Sequence, residues 1–146
     1  MKMLNMLVLL GVFLPLFIPL DLVTHKTNHE FDDYIQEFEY DMGIKVNSRI
    51  IRGKLSRTTA GHCVMLFKLI TISDAYLNIY EYNKTEIRST IYHELGHCEC
   101  NILHDNRKKK DSCPESLMYH DIISDVCLHK YWPEYITKLK RDCKGS

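Results

Sequence analysis

The sequence predicts a small α+β domain, and three observations predict it. Apolar residues recur at helical spacing in two separate segments, Phe31 to Met42 and Ile87 to Leu95. Between them runs a stretch rich in apolar and β-branched residues, ending in Leu69-Ile70-Thr71-Ile72, which reads as buried strand. The last segment, Trp132 to Lys144, has the residue types of a further helix. At 146 residues the chain can build one modest core and not two.

Taken in order, Thr27 and Glu30 have capping-box spacing ahead of the first helix. Phe31, Tyr34, Ile35, Phe38 and Met42 give that helix an aromatic stripe to pack on a sheet, and Gly43 supplies its stop. Ile44 to Ile51 has a strand-like pattern closed by Gly53, and polar residues from Lys54 to Gly61 mark a turn. His62 to Ser73 reads as one largely buried strand, followed after Ser73-Asp74 by an extended piece from Ala75 to Tyr82. A second helix opens at Asn83, with Glu86 at capping-box spacing and Ile87, Ile91 and Leu95 as its buried stripe. It is expected to end near Asn101, a residue that tolerates the left-handed conformation. The C-terminal helix starts at Trp132, with Pro133 at its first position, Glu134 in its first turn and Lys138, Lys140 and Arg141 towards its end.

Charge excludes one class of partner. Lys plus Arg and Asp plus Glu both number 19, so no basic excess points to nucleic acid. The basic run Arg107-Lys108-Lys109-Lys110 lies among Asp105, Asn106 and Asp111 and reads as a solvated loop.

The N-terminus points outside the cytoplasm. After Lys2, residues Met3 to Leu20 are apolar except Asn5, and the run ends at Asp21. Residues 1–22 therefore read as a secretory signal peptide or an N-terminal membrane anchor. The segment shows no small-x-small cleavage site between Ile18 and Lys26, so both readings stand. Residues 23–146 are then one exported domain, whether secreted, periplasmic or membrane-anchored and facing outward. All six cysteines lie in this part, an even count that suits a disulfide framework. Cys98 and Cys100 are too close to pair with each other and should clip two different elements.

The chemistry concentrates in His93-Glu94-Leu95-Gly96-His97. Two histidines four residues apart on a helix project their imidazoles side by side, as two corners of a Zn2+ tetrahedron require. Glu94, rotated away from the metal, is free to act as general base towards a water that the metal activates. If Asn101 turns the chain, His104 returns as third ligand. Asp105, Asp111, Glu115 and His120 are further candidates for that corner. His25, His29, His62 and His129 have no partner pattern.

Residues 93 to 119 resemble the metzincin clan of zinc peptidases, with a His-Glu-x-x-His helix, a turn, a third histidine and a downstream methionine turn. Small phage-type and bacterial metallopeptidases with a His-Glu-Leu-Gly-His-Cys helix followed by His-Asp are similar in the same way. The spacing departs by one residue: the clan's glycine and third histidine fall at positions 100 and 103, whereas Asn101 and His104 stand one later here. The resemblance implies a small zincin-like fold in which Ser116-Leu117-Met118-Tyr119 is the methionine turn. Met118 would then form the apolar floor of the site, and Tyr119 would stabilise the oxyanion or cover the metal. Leu69 to Ser73 would be the edge strand that pairs with an extended substrate. The implied activity is zinc-dependent endopeptidase action on a peptide or protein, with Glu94 catalytic and His93, His97 and His104 as ligands. The alternative is a zinc-binding or partner-binding domain without turnover.

Overall fold

The computed structural model describes residues 27–81 and 83–145, so the segment read as signal peptide or anchor lies outside the described residues. The described part is α+β: four α-helices and one three-stranded sheet. A 3-10 turn (His29–Phe31) leads into helix α1 (Asp32–Met42). The predicted capping box does not form. Thr27 Oγ1 instead accepts a 3.4 Å hydrogen bond from Ile50 N–H, and Glu30 pairs with Arg52 at 3.3 Å. Gly43 ends α1 in the left-handed conformation, as read from the sequence (φ 73°).

Strand β1 (Arg49–Gly53) starts later than the pattern suggested. The stretch predicted as one strand is two, β2 (Gly61–Val64) and β3 (Leu69–Ser73), joined by a 3-10 turn at Met65–Phe67. The reversal is made at Lys68, a left-handed residue (φ 49°) whose Nζ hydrogen-bonds the Cys98 carbonyl and lies 3.8 Å from Glu99. An apolar tripeptide followed by lysine carries no turn signal, so its partners on a distant helix decide this bend. The sheet order is β1-β3-β2, with β1 parallel and β2 antiparallel to β3. Leu69 to Ser73 is thus the central strand, and β2 forms the edge that the resemblance had assigned to it.

The piece expected to be extended after Ser73 is a short helix, α2 (Asp74–Ile79), capped by the Ser73 side chain accepting from Tyr76 N–H. Helix α3 (Lys84–Cys100) begins at Asn83, whose side chain accepts from Glu86 N–H at 3.2 Å. Its Ile91 and Leu95 are fully buried. Helix α1 packs on α3 and the C-terminal helix rather than on the sheet. There Phe38 meets Tyr92 edge-on at 5.1 Å, and the Tyr92 hydroxyl donates to Asp41.

The C-terminal helix, α4, spans Asp125–Lys144 and places Pro133 in its interior. It starts earlier than predicted, after the N-cap Ser124, and the Glu86 carboxyl of α3 lies close to Asp125 at that end. Pro133 is exposed there and lacks the N–H that would bond the carbonyl one turn earlier.

Three disulfides join these elements: Cys63–Cys98 ties β2 to α3, Cys100–Cys143 ties α3 to α4, and Cys113–Cys127 closes the loop before α4. Cys98 and Cys100 do clip two different elements. A fully bonded cysteine set fits an exported protein. Among the described residues, no helix is long and apolar enough to cross a membrane. The basic run is not a simply solvated loop. Arg107 pairs with Asp105, Lys109 with Glu134, and Lys108 bridges to the backbone at Pro114.

Candidate metal centre

Helix geometry puts His93 and His97 on one face of α3, opposite the Ile91–Leu95 side that anchors it. Asn101 then stops the helix in the left-handed conformation (φ 51°), and Ile102 N–H returns to the Gly96 carbonyl at 3.2 Å. That reversal carries residues 102–105 back past the helix end and brings in His104. The three Nε2 atoms lie 3.0 Å (His93–His97), 3.1 Å (His97–His104) and 3.2 Å (His93–His104) apart.

Hydrogen bonds cannot account for this cluster. His93 Nδ1 donates to the Leu117 carbonyl at 2.7 Å and His97 Nδ1 to the Ile102 carbonyl at 2.6 Å. A carbonyl only accepts, so each ring carries its proton on Nδ1. Burial pushes the His93 imidazole down to about 4 and also lowers that of His97, so both rings are neutral near pH 7. The 3.0 Å contact therefore brings two Nε2 lone pairs face to face. A shared cation removes that repulsion. Tetrahedral zinc with nitrogens at 2.0–2.1 Å sets its ligands about 3.3 Å apart. The donor set fits, and the group His93, His97 and His104 could hold a metal ion.

The other candidates for the third corner are engaged elsewhere. Asp105 binds Arg107 and Lys138, Asp111 binds Lys130 and Tyr131, and Glu115 lies 3.6 Å from Arg107. His120 donates to Asn106 and pairs with Asp121.

Met118 is fully buried beneath the histidine-bearing turn of α3. A Cβ on Gly96 would stand 2.6 Å from its Sδ. The Ser116 hydroxyl accepts from Met118 N–H, and the Met118 carbonyl accepts from Asp105 N–H at 2.8 Å. The 116–118 turn thus supports the helix, orients His93 and ties down the segment carrying His104. Tyr119 lines the neighbouring cleft and packs against His120.

That cleft, about 700 Å³, runs between β2 and the segment 117–123. Glu94 opens onto it, and burial raises its carboxyl to about 7, opposed in part by the nearby Cys63 N–H. Two contributors were not evident from sequence. Gly61, read as a turn residue, leaves the space that the Glu94 carboxyl fills. His62, which lacks any partner pattern, lies on the cleft wall near enough to His97 to depress its basicity. Only the register of the edge strand reveals either role.

Fold and site together define an α+β protein with a three-histidine cluster at the mouth of a cleft. The chain matches no protein-family model, and no curated protein and no solved structure is significantly similar to it.

Proposed function

We propose that this protein is a zinc-dependent endopeptidase of zincin-like architecture, similar to the metzincin clan. The carrying observation is the trio of Nε2 atoms at 3.0–3.2 Å, two of them oriented by Nδ1 bonds to backbone carbonyls, with Glu94 beside them on an open cleft. His93, His97 and His104 hold the ion. Zn2+ in such a site polarises a carbonyl and makes water acidic enough to attack near neutrality.

Glu94 does the proton work. Its carboxylate would accept a proton from the attacking water and return it to the departing amine. The outward edge of β2 offers backbone groups to an extended chain lying in the cleft, which favours a peptide or protein substrate. Met118 supplies a dry, rigid floor, and Tyr119 stands where it can cover the reacting groups.

Metal analysis of the purified full chain, joined to a fluorogenic peptide library, tests this. One zinc per chain and cleavage lost in Glu94→Gln are expected. Zinc bound without any Glu94-dependent cleavage would favour a non-catalytic metal-binding domain. Absence of stoichiometric zinc would refute the reading altogether.

A further inference from the structure

Strand β2 alternates in the direction of its hydrogen bonds. The Ser73 N–H bonds to Ala60, and the register sets His62 opposite Thr71, so residues 60, 62 and 64 bond inward to β3. Gly61 and Cys63 therefore direct their backbone groups outward.

The same two residues also meet α3 beside Glu94. A Cβ at Gly61 would lie 2.7 Å from Glu94 Cγ and 2.8 Å from its Oε1. The Cys63 side chain is bonded to Cys98, which stands four residues after Glu94 on the same face of α3. One covalent link thus fixes the height of the edge strand against the helix one turn from the carboxyl. Glu94 has little other freedom, being 6% exposed.

We propose that β2 positions Glu94: Gly61 provides the space for its carboxyl, and the Cys63–Cys98 disulfide keeps strand and helix in register. This rests on the hydrolase reading for its consequence, but the contact itself stands on the geometry alone. Gly61 and Cys63 are positioning residues that act through Glu94. The bridge therefore contributes to turnover and not only to stability. Reduction of this one disulfide separates the base from its holder while leaving the three histidines, all on α3 or the segment after it, in place.

Two measurements test the proposal. In residue-resolved NMR of the wild-type protein, Gly61 Hα should show cross-relaxation to the Glu94 Hγ protons, and the Cys63→Ser/Cys98→Ser double variant should lose it. In peptide hydrolysis, Gly61→Ala should lower kcat about tenfold or more, since small displacements of a reacting group are costly, with KM and zinc content unchanged. Replacing both Cys63 and Cys98 by Ser should do the same. Replacing Cys100 and Cys143 by Ser, which removes a bridge from the same helix, should lower thermal stability and spare kcat. Should the wild-type protein show no Gly61–Glu94 contact, or should Gly61→Ala turn over normally, the proposal is overturned. If the wild-type protein cleaves nothing while that contact is present and depends on the disulfide, the positioning stands and the hydrolase reading falls.

Discussion

Met118 fills the space that a side chain at Gly96 would need, its Sδ lying 2.6 Å from the position of a Cβ there. The glycine between the two helix-borne histidines is thus a packing requirement of the methionine beneath them. Gly96→Ala should push Met118 aside within a closed core, costing about 1–3 kcal/mol of folding stability. Because the same turn orients His93 through Leu117, zinc affinity should fall as well. Urea denaturation and competition with a zinc-binding dye measure the two effects.

His104 should separate metal binding from folding. Its side chain is exposed, and its recorded polar contacts are with the two other imidazoles. His104→Ala should leave metal-free stability within about 0.5 kcal/mol of the parent. Zinc affinity should drop by more than the roughly 10–100-fold typical of losing a supporting hydrogen bond. Zinc at a hundred times its Kd should raise parent stability by about 2.7 kcal/mol, a gain that the variant loses at the same concentration.

Neighbouring groups should oppose each other in the pH dependence of the metal-free protein. His93, lowered from 6.5 to about 4, contributes stability that is present above 6.5 and lost as pH falls towards 4. Glu94, raised from 4.5 to about 7, acts with the other sign: its contribution is full below 4.5 and is lost as pH rises through 7. Between 4.5 and 6.5 the two slopes largely cancel. Glu94→Gln should stabilise the metal-free protein at pH 8 by on the order of 2 kcal/mol and uncover the histidine slope. Denaturation curves at pH 5, 6.5 and 8 in chelator would reveal a flat difference if this is wrong.

Asp105 follows His104 and is held by Arg107 and Lys138, which keep its carboxyl well below the ordinary range. Its contribution to stability is present above its usual 3.8 and lost as pH falls below that value. Lys138→Met should loosen the His104 segment from α4 and weaken zinc binding about tenfold at pH 7. Unchanged affinity in the dye competition would show that Asp105 does not position the ligand.

What the sequence disclosed was local in origin. Asn83 capping α3, Gly43 ending α1, and Asn101 turning the chain towards His104 each depend on one residue's own backbone preference. The buried stripe at Ile91 and Leu95 follows from periodicity alone. The three-histidine cluster was therefore legible despite its extra residue, because Asn101 and His104 shift together. The misread elements depend on partners far along the chain. Lys68 bends where it does because Cys98 and Glu99 receive it, and α4 begins at Asp125, where Glu86 of a distant helix comes close to its first turn. The roles of Gly61 and Cys63 appear only once β2 is known to be an edge.

The spacing of Cys98 and Cys100 has a further consequence for a chain exposed to cleavage. The two bridges leaving α3 enclose residues 63–98 and 100–143, so one cut within either span leaves both fragments attached. Between Cys63 and Cys143, only the bonds flanking Glu99 lie outside these covalent rings. They sit inside a helix, and the Glu99 side chain, 4% exposed, is held by the backbone and hydroxyl of Ser48. Within that stretch, the single point where one cut would separate the two rings is thus among the least accessible to another protease.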